Sequence, residues 1–149
     1  MVQASVTKRY RFCAAHRLHT DHFSPEENWA AFGKCNNPNG HGHNYVVLVT
    51  VSSAVSAAIG GSVNLDRLDR IVDEQVVARF DHHDLNLDPE FVHCTTTGEN
   101  LVLLIWDLLV THLPAGQLEK VGLIETRDNY FEYAGPASET SVLREGRHG

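Results

Sequence analysis

The sequence predicts an α+β domain in the order strand, strand, helix, helix, strand, strand: a four-stranded antiparallel sheet with two helices on one face. Three observations carry this. Two early segments alternate apolar and polar residues, two central segments repeat apolar residues at helical spacing behind capping residues, and two late β-rich segments flank a turn.

Residues 5–18, "SVTKRYRFCAAHRL", set Val6, Tyr10, Phe12, Ala14 and His16 against Thr7, Arg9, Arg11, Cys13 and Arg17, the period of a half-buried strand. His16 falls on the more apolar face. Residues 20–40 turn polar and contain Pro25, Gly33, Pro38 and Gly40, with "PEENWAAF" able to start a short helical turn at Pro25. Residues 43–53, "HNYVVLVTVSS", are rich in β-branched and aromatic side chains and predict a second strand, antiparallel to the first.

Gly60 and Gly61 mark a turn, and "NLDRLDRIVDEQVVARF" then spaces Leu65, Leu68, Val72, Val76 and Phe80 as the apolar stripe of a helix capped by Asn64. Thr96 and Glu99, at capping-box spacing, announce a second helix with Leu101, Leu104, Ile105, Leu108 and Leu109 on its apolar face. "LEKVGLIET" and "YFEYAG", parted by a turn, predict a hairpin. Helices on one face leave the sheet edges open, and association of copies through those edges is a natural solution. The domain is expected over residues 1–135, with the polar stretch 136–149 as a mobile tail.

A chain of 149 residues, 42% hydrophobic, suffices for one domain with its own core. A net charge of −7 argues against an electrostatic grip on nucleic acid. Three cysteines without framework spacing suit a reducing compartment, the cytoplasm. No leader-like apolar region opens the sequence, and "LVLLIW" is too short to span a bilayer. The expected partners are small molecules or proteins.

Ten histidines are many for this length, and His16, His41, His43, His82, His83 and His93 lie near Cys, Asp or another His. His19, His22, His112 and His148 are read as surface residues. His41 and His43 leave one face of an extended strand, and His16 on the neighbouring strand can add a third nitrogen. Three histidines with an open fourth position suit catalytic zinc; Cys35 as a further ligand would instead make a closed structural site, against which the turn-rich "NNPNG" argues mildly by swinging the thiol away, and unligated histidines are the remaining reading.

"DHHDLN" places Asp81 beside His82, so that a carboxylate can orient an imidazole that takes a proton from a thiol, for which Cys35 is the candidate. The competing reading is a helix C-terminal cap, assigned here to His83. Glu125 in "IETRDN" could bind a guanidinium-like ligand edge through both oxygens.

Together "FCAAHRL", "KCNNPNGHGHNY", "DHHDLN", "TTTGENLVLLIW" and "ETRDN" resemble, in order, the 6-pyruvoyl-tetrahydropterin synthases. The resemblance implies the tunnelling fold, with sheets closing into an oligomeric barrel, trimers stacked as hexamers. It implies zinc on His16, His41 and His43, Cys35 as catalytic base with Asp81 and His82 as relay, and Glu125 as pterin anchor that also joins the relay. Thr97 falls where the family contacts the pterin ring. The implied reaction converts 7,8-dihydroneopterin triphosphate to 6-pyruvoyl-tetrahydropterin with loss of triphosphate; Lys34, Arg17 and Arg11, with Mg2+, are candidates for the triphosphate. The alternatives are the related 6-carboxytetrahydropterin synthases, disfavoured by the five residues "NNPNG" between Cys35 and His41, and a non-catalytic zinc-containing pterin-binding protein. Gly98 lengthens "TTTGEN" relative to the animal-like pattern.

Overall fold

The computed structural model describes residues 2–136, so all but the first residue of the expected tail lies outside the described residues. Strands β1 (Val2–His16) and β2 (His41–Ser56) pair antiparallel along their length, from Val2 opposite Val55 to His16 opposite His41. β5 (Leu118–Thr126) joins the other edge of β2, and β6 (Asn129–Tyr133) closes the hairpin. The sheet has six strands rather than the four expected. The additions are two-residue strands, β3 (Gly60–Gly61) on β2 and β4 (His83–Asp84), parallel to β1 at Ala14 and Ala15. Both lie in stretches read as turn or loop, because two residues carry no detectable period.

Alternation along β1 is as expected: Tyr10, Phe12, Ala14 and His16 are buried, whereas Arg9, Arg11 and Cys13 are exposed. Opposite them Tyr45, Val47, Val49 and Val51 of β2 and Val121 and Leu123 of β5 complete the core face. The short helical turn expected at Pro25 is a two-turn helix, α1 (Pro25–Phe32), with Ser24 and Glu27 forming its capping box.

The predicted first helix begins as α2 (Leu65–Val72), capped by Asn64, passes through a π-helical segment (Asp73–Val77) and ends as α3 (Ala78–Phe80). Leu68, Val72, Val76 and Phe80, all buried, recur every four residues. On a regular α-helix that row would rotate by about 40° per step. The wider π turn absorbs the drift and keeps one stripe on the sheet.

Helix α4 (Gly98–Val110) is capped by Thr97, whose hydroxyl accepts the Asn100 N–H, and not by Thr96 as the spacing suggested. It buries Leu101, Ile105 and Leu109 as expected, and also Val102 and Trp106. Gly98 lies against the ring of Phe131, which occupies the place of a Cβ. Packing from β6 thus accounts for a glycine in the first turn.

Candidate active site and metal centre

The centre is built where β1 ends and β2 begins. His41 stands directly opposite His16, and His43 opposite Ala14, so the three imidazoles share the core face at the mouth of the sheet. His16 Nε2 lies 3.0 Å from both His41 Nε2 and His43 Nε2. Among the described residues these three alone form a group of potential metal ligands, their ligand atoms within 4.8 Å of one another. Tetrahedral zinc, at about 2.0–2.1 Å from each nitrogen, separates its ligand nitrogens by about 3.3 Å. The donor set fits that metal after a small outward movement.

The protonation state also fits. His16 Nδ1 lies 2.7 Å from the Thr96 carbonyl oxygen, which can only accept, so the proton sits on Nδ1 and the Nε2 lone pair faces the cluster. Burial pushes the His16 imidazole down to about 4 against the pull of the Thr96 carbonyl, with His41 and His43 adding repulsion. Burial also lowers His43, opposed by Glu125. Neutral imidazoles are what a metal needs.

Glu125 arrives by a β-bulge. Ile124 pairs with Tyr130 and Thr126 with Asn129, leaving Glu125 as the extra residue on β5. Its side chain is 14% exposed, with Oε1 3.9 Å from His43 Nε2. Beneath the cluster Tyr45 stacks on Phe12 at 5.0 Å; its hydroxyl is buried without a hydrogen-bond partner among the described residues. Burial, then the Glu125 charge, raises that phenol far above its ordinary value.

Cys35 lies half-buried in a 3-10 turn (Gly33–Asn36) and is not a member of the metal-ligand group. The turn is tied to the residues just after His16: Leu18 N–H donates to the Cys35 carbonyl at 2.8 Å, and Asn36 Nδ2 donates to the Leu18 carbonyl at 2.7 Å. Gly40, at φ +71°, then brings the chain against the His16 carbonyl, where a Cβ would stand at 3.1 Å.

Asp81 and His82 are together as expected, Oδ1 to Nδ1 at 3.0 Å, but the chain sets them beside Cys13. Asp81 Oδ1 accepts the Cys13 N–H at 2.8 Å, His82 N–H donates to the Cys13 carbonyl at 2.6 Å, and no described hydrogen bond links either to Cys35. The Cys13 N–H and His82 hold the Asp81 carboxyl below its usual range. His82 has φ 61° and presents its ring to solvent. It shares a cavity of about 480 Å³ with His43, Gly42 and Cys13. His83 Nδ1 donates to the Asp81 carbonyl at 2.8 Å, the capping role read for it.

The Thr97 hydroxyl is engaged in the helix cap. Lys34 and Arg11 are exposed, while Arg17 Nε donates to the Asn36 carbonyl at 3.0 Å. Sequence reasoning missed the Thr96 carbonyl and the Tyr45 hydroxyl. The first is a backbone group and carries no residue-type signal; the second was read only as a strand aromatic.

The family model described as 6-pyruvoyl tetrahydropterin synthase matches residues 5–136. The chain belongs to that family. It is 46% identical over 134 residues to human 6-pyruvoyl tetrahydrobiopterin synthase, covering 89% of this chain and 92% of the human protein. Against the Drosophila melanogaster 6-pyruvoyl tetrahydrobiopterin synthase it is 39% identical over 135 residues, covering 89% and 80%. The structure of Caenorhabditis elegans 6-pyruvoyl tetrahydropterin synthase superposes with a TM-score of 0.85 at 36% identity, covering 91% of this chain and 98% of that one. The family resemblance drawn from the five motifs is thereby borne out.

Proposed function

We propose that this chain is a zinc-dependent 6-pyruvoyl-tetrahydropterin synthase, a lyase that converts 7,8-dihydroneopterin triphosphate to 6-pyruvoyl-tetrahydropterin and releases triphosphate. The observation that carries the reading is the convergence of three imidazoles in a member of this family, with His41 Nε2 and His43 Nε2 each 3.0 Å from His16 Nε2. Zinc held there supplies Lewis acidity toward the hydroxyls of the substrate side chain. His16, His41 and His43 hold the metal, and Glu125, bulged toward them, binds the guanidinium-like edge of the pterin.

Cys35, outside the ligand set, is the base that takes and returns the side-chain protons. Asp81 and His82 lie at Cys13 within one chain, so in this reading they serve the Cys35 thiol of a neighbouring copy. That arrangement goes with a tunnelling fold whose open edges, β6 and the length of β1 before its short pairing with β4, join copies into a barrel and a homohexamer of two stacked trimers. Thr97 lies at the pterin ring, and Lys34, Arg17 and Arg11, with Mg2+ as counter-ion, receive the triphosphate. A cytoplasmic location suits three free cysteines and a thiol base.

Incubation with 7,8-dihydroneopterin triphosphate and product identification by mass tests the reading. The pyruvoyl product is expected; a carboxy product, or none, overturns it.

A further inference from the structure

The motif "DHHDLN" leaves Asn86 unused by the proposed chemistry, yet its side chain makes a paired contact with the residue after His16. The Arg17 N–H donates to Asn86 Oδ1 at 2.7 Å, and Asn86 Nδ2 donates to the Arg17 carbonyl at 2.8 Å. β4 runs parallel to β1 with His83 opposite Ala14 and Asp84 opposite Ala15. Two residues on, the Asn86 carboxamide replaces the backbone peptide in that ladder, since both offer one donor and one acceptor in a plane. Asn86 is itself held, its N–H donating to Asp84 Oδ1 at 3.0 Å and the neighbouring Leu85 buried.

Thr96 ties this clamp to the metal centre. Its hydroxyl donates to the Arg17 carbonyl at 3.3 Å and lies 3.4 Å from Asn86 Oδ1, while its own carbonyl accepts from His16 Nδ1 at 2.7 Å. His16 therefore depends on two peptides being held in register, its own strand end at Arg17 and the segment before α4. Without the clamp the strand end at Arg17–Leu18, which also carries the Cys35 turn, keeps hydrogen bonds to Asn36, Cys35 and Thr96 among the described residues.

We infer that Asn86 is a positioning residue for the metal centre: its carboxamide fixes the Arg17 peptide and so holds the His16 imidazole on the Thr96 carbonyl, Nε2 inward. The inference rests on the proposed metal role of His16. Because Asn86 is exposed, its truncation opens no cavity in the core, and readouts taken at His16 and at the zinc separate its effect on the centre from any effect on folding.

The test compares wild type with Asn86→Ala by two readouts. Long-range 15N NMR of the metal-free protein reports the His16 tautomer, and chelator competition gives the zinc dissociation constant. Wild type is expected to be Nδ1-protonated; the variant is expected to mix both tautomers and to bind zinc about 10-fold more weakly, the scale on which partners of metal-ligating histidines act. A tautomer unchanged and a zinc constant within about twofold of wild type overturn the inference whatever happens to stability. If wild type binds no zinc while the tautomer still shifts in the variant, the metal reading fails and the positioning role stands. Should Asn86→Ala not fold, Asn86→Asp, which keeps the acceptor for the Arg17 N–H, is read the same way with a smaller expected shift.

Discussion

Glu125 Oε1 stands 3.9 Å from His43 Nε2, beyond hydrogen-bond reach but close enough for its charge to oppose the effect of burial on that imidazole. A bulge is what puts it there, since a regular β5 would continue the pairing of Ile124 with Tyr130 without an extra residue. Glu125→Gln keeps size and bulge but removes charge and the paired acceptor oxygens. Zinc content is expected to stay near one per chain, while kcat/KM for 7,8-dihydroneopterin triphosphate falls by about 100-fold or more. An unchanged kcat/KM would take Glu125 out of the substrate site.

The proposed function divides metal binding from catalysis along the loop that joins Cys35 to His41. Because Cys35 lies outside the ligand group, Cys35→Ala is expected to keep its metal and its unfolding temperature while losing turnover. His43→Ala removes one of three converging nitrogens and is expected to lose both. Metal analysis of the two purified variants, with thermal unfolding of each, decides the matter. Loss of zinc in Cys35→Ala would restore the closed structural site.

Much of this was legible because it is written in periodicity. The alternation of β1 and the one-residue spacing of His41 and His43 put all three histidines on one face from the sequence alone, and strand pairing needed only to bring His16 opposite His41. What stayed hidden is set by other segments or by the backbone. The Thr96 carbonyl has no residue signature, and the helix cap lies at Thr97 because Thr96 is drawn to Arg17 and His16. The placement of Asp81 and His82 beside Cys13 depends on where α3 ends against β1, which helical spacing does not specify.

Acid sensitivity should have one traceable source in the loop that carries Asn86. Arg79 Nε and Nη2 each donate to Asp88 at 2.8 Å, and the Asp88 side chain is only 10% exposed. The Arg79 hydrogen bonds hold its carboxyl below the ordinary 3.8. A depressed carboxyl contributes stability that is present above the unfolded value and lost as pH falls through the folded one. Asp88→Asn is therefore expected to cost about 1–2 kcal/mol near neutral pH and much less at pH 2, measured by urea unfolding at both. An equal cost at both pH values would mean that packing, not charge, holds this corner.

The Tyr45 hydroxyl offers the opposite case, a polar group whose removal should help. Its ring is fully buried and stacks on Phe12, but the oxygen has no partner among the described residues, so folding strips its water and returns no hydrogen bond there. Burial, and then the Glu125 charge, keep it protonated, so no charge repays the cost. Tyr45→Phe leaves the stack and the histidine cluster in place, and the metal-free protein is expected to gain about 1 kcal/mol, roughly 3 °C in Tm. A fall in Tm would show that the hydroxyl finds a partner in the working assembly. If turnover also fell while zinc content held, that partner would lie in the substrate site, reached through Glu125, and Tyr45 would join His43 and Glu125 as part of it.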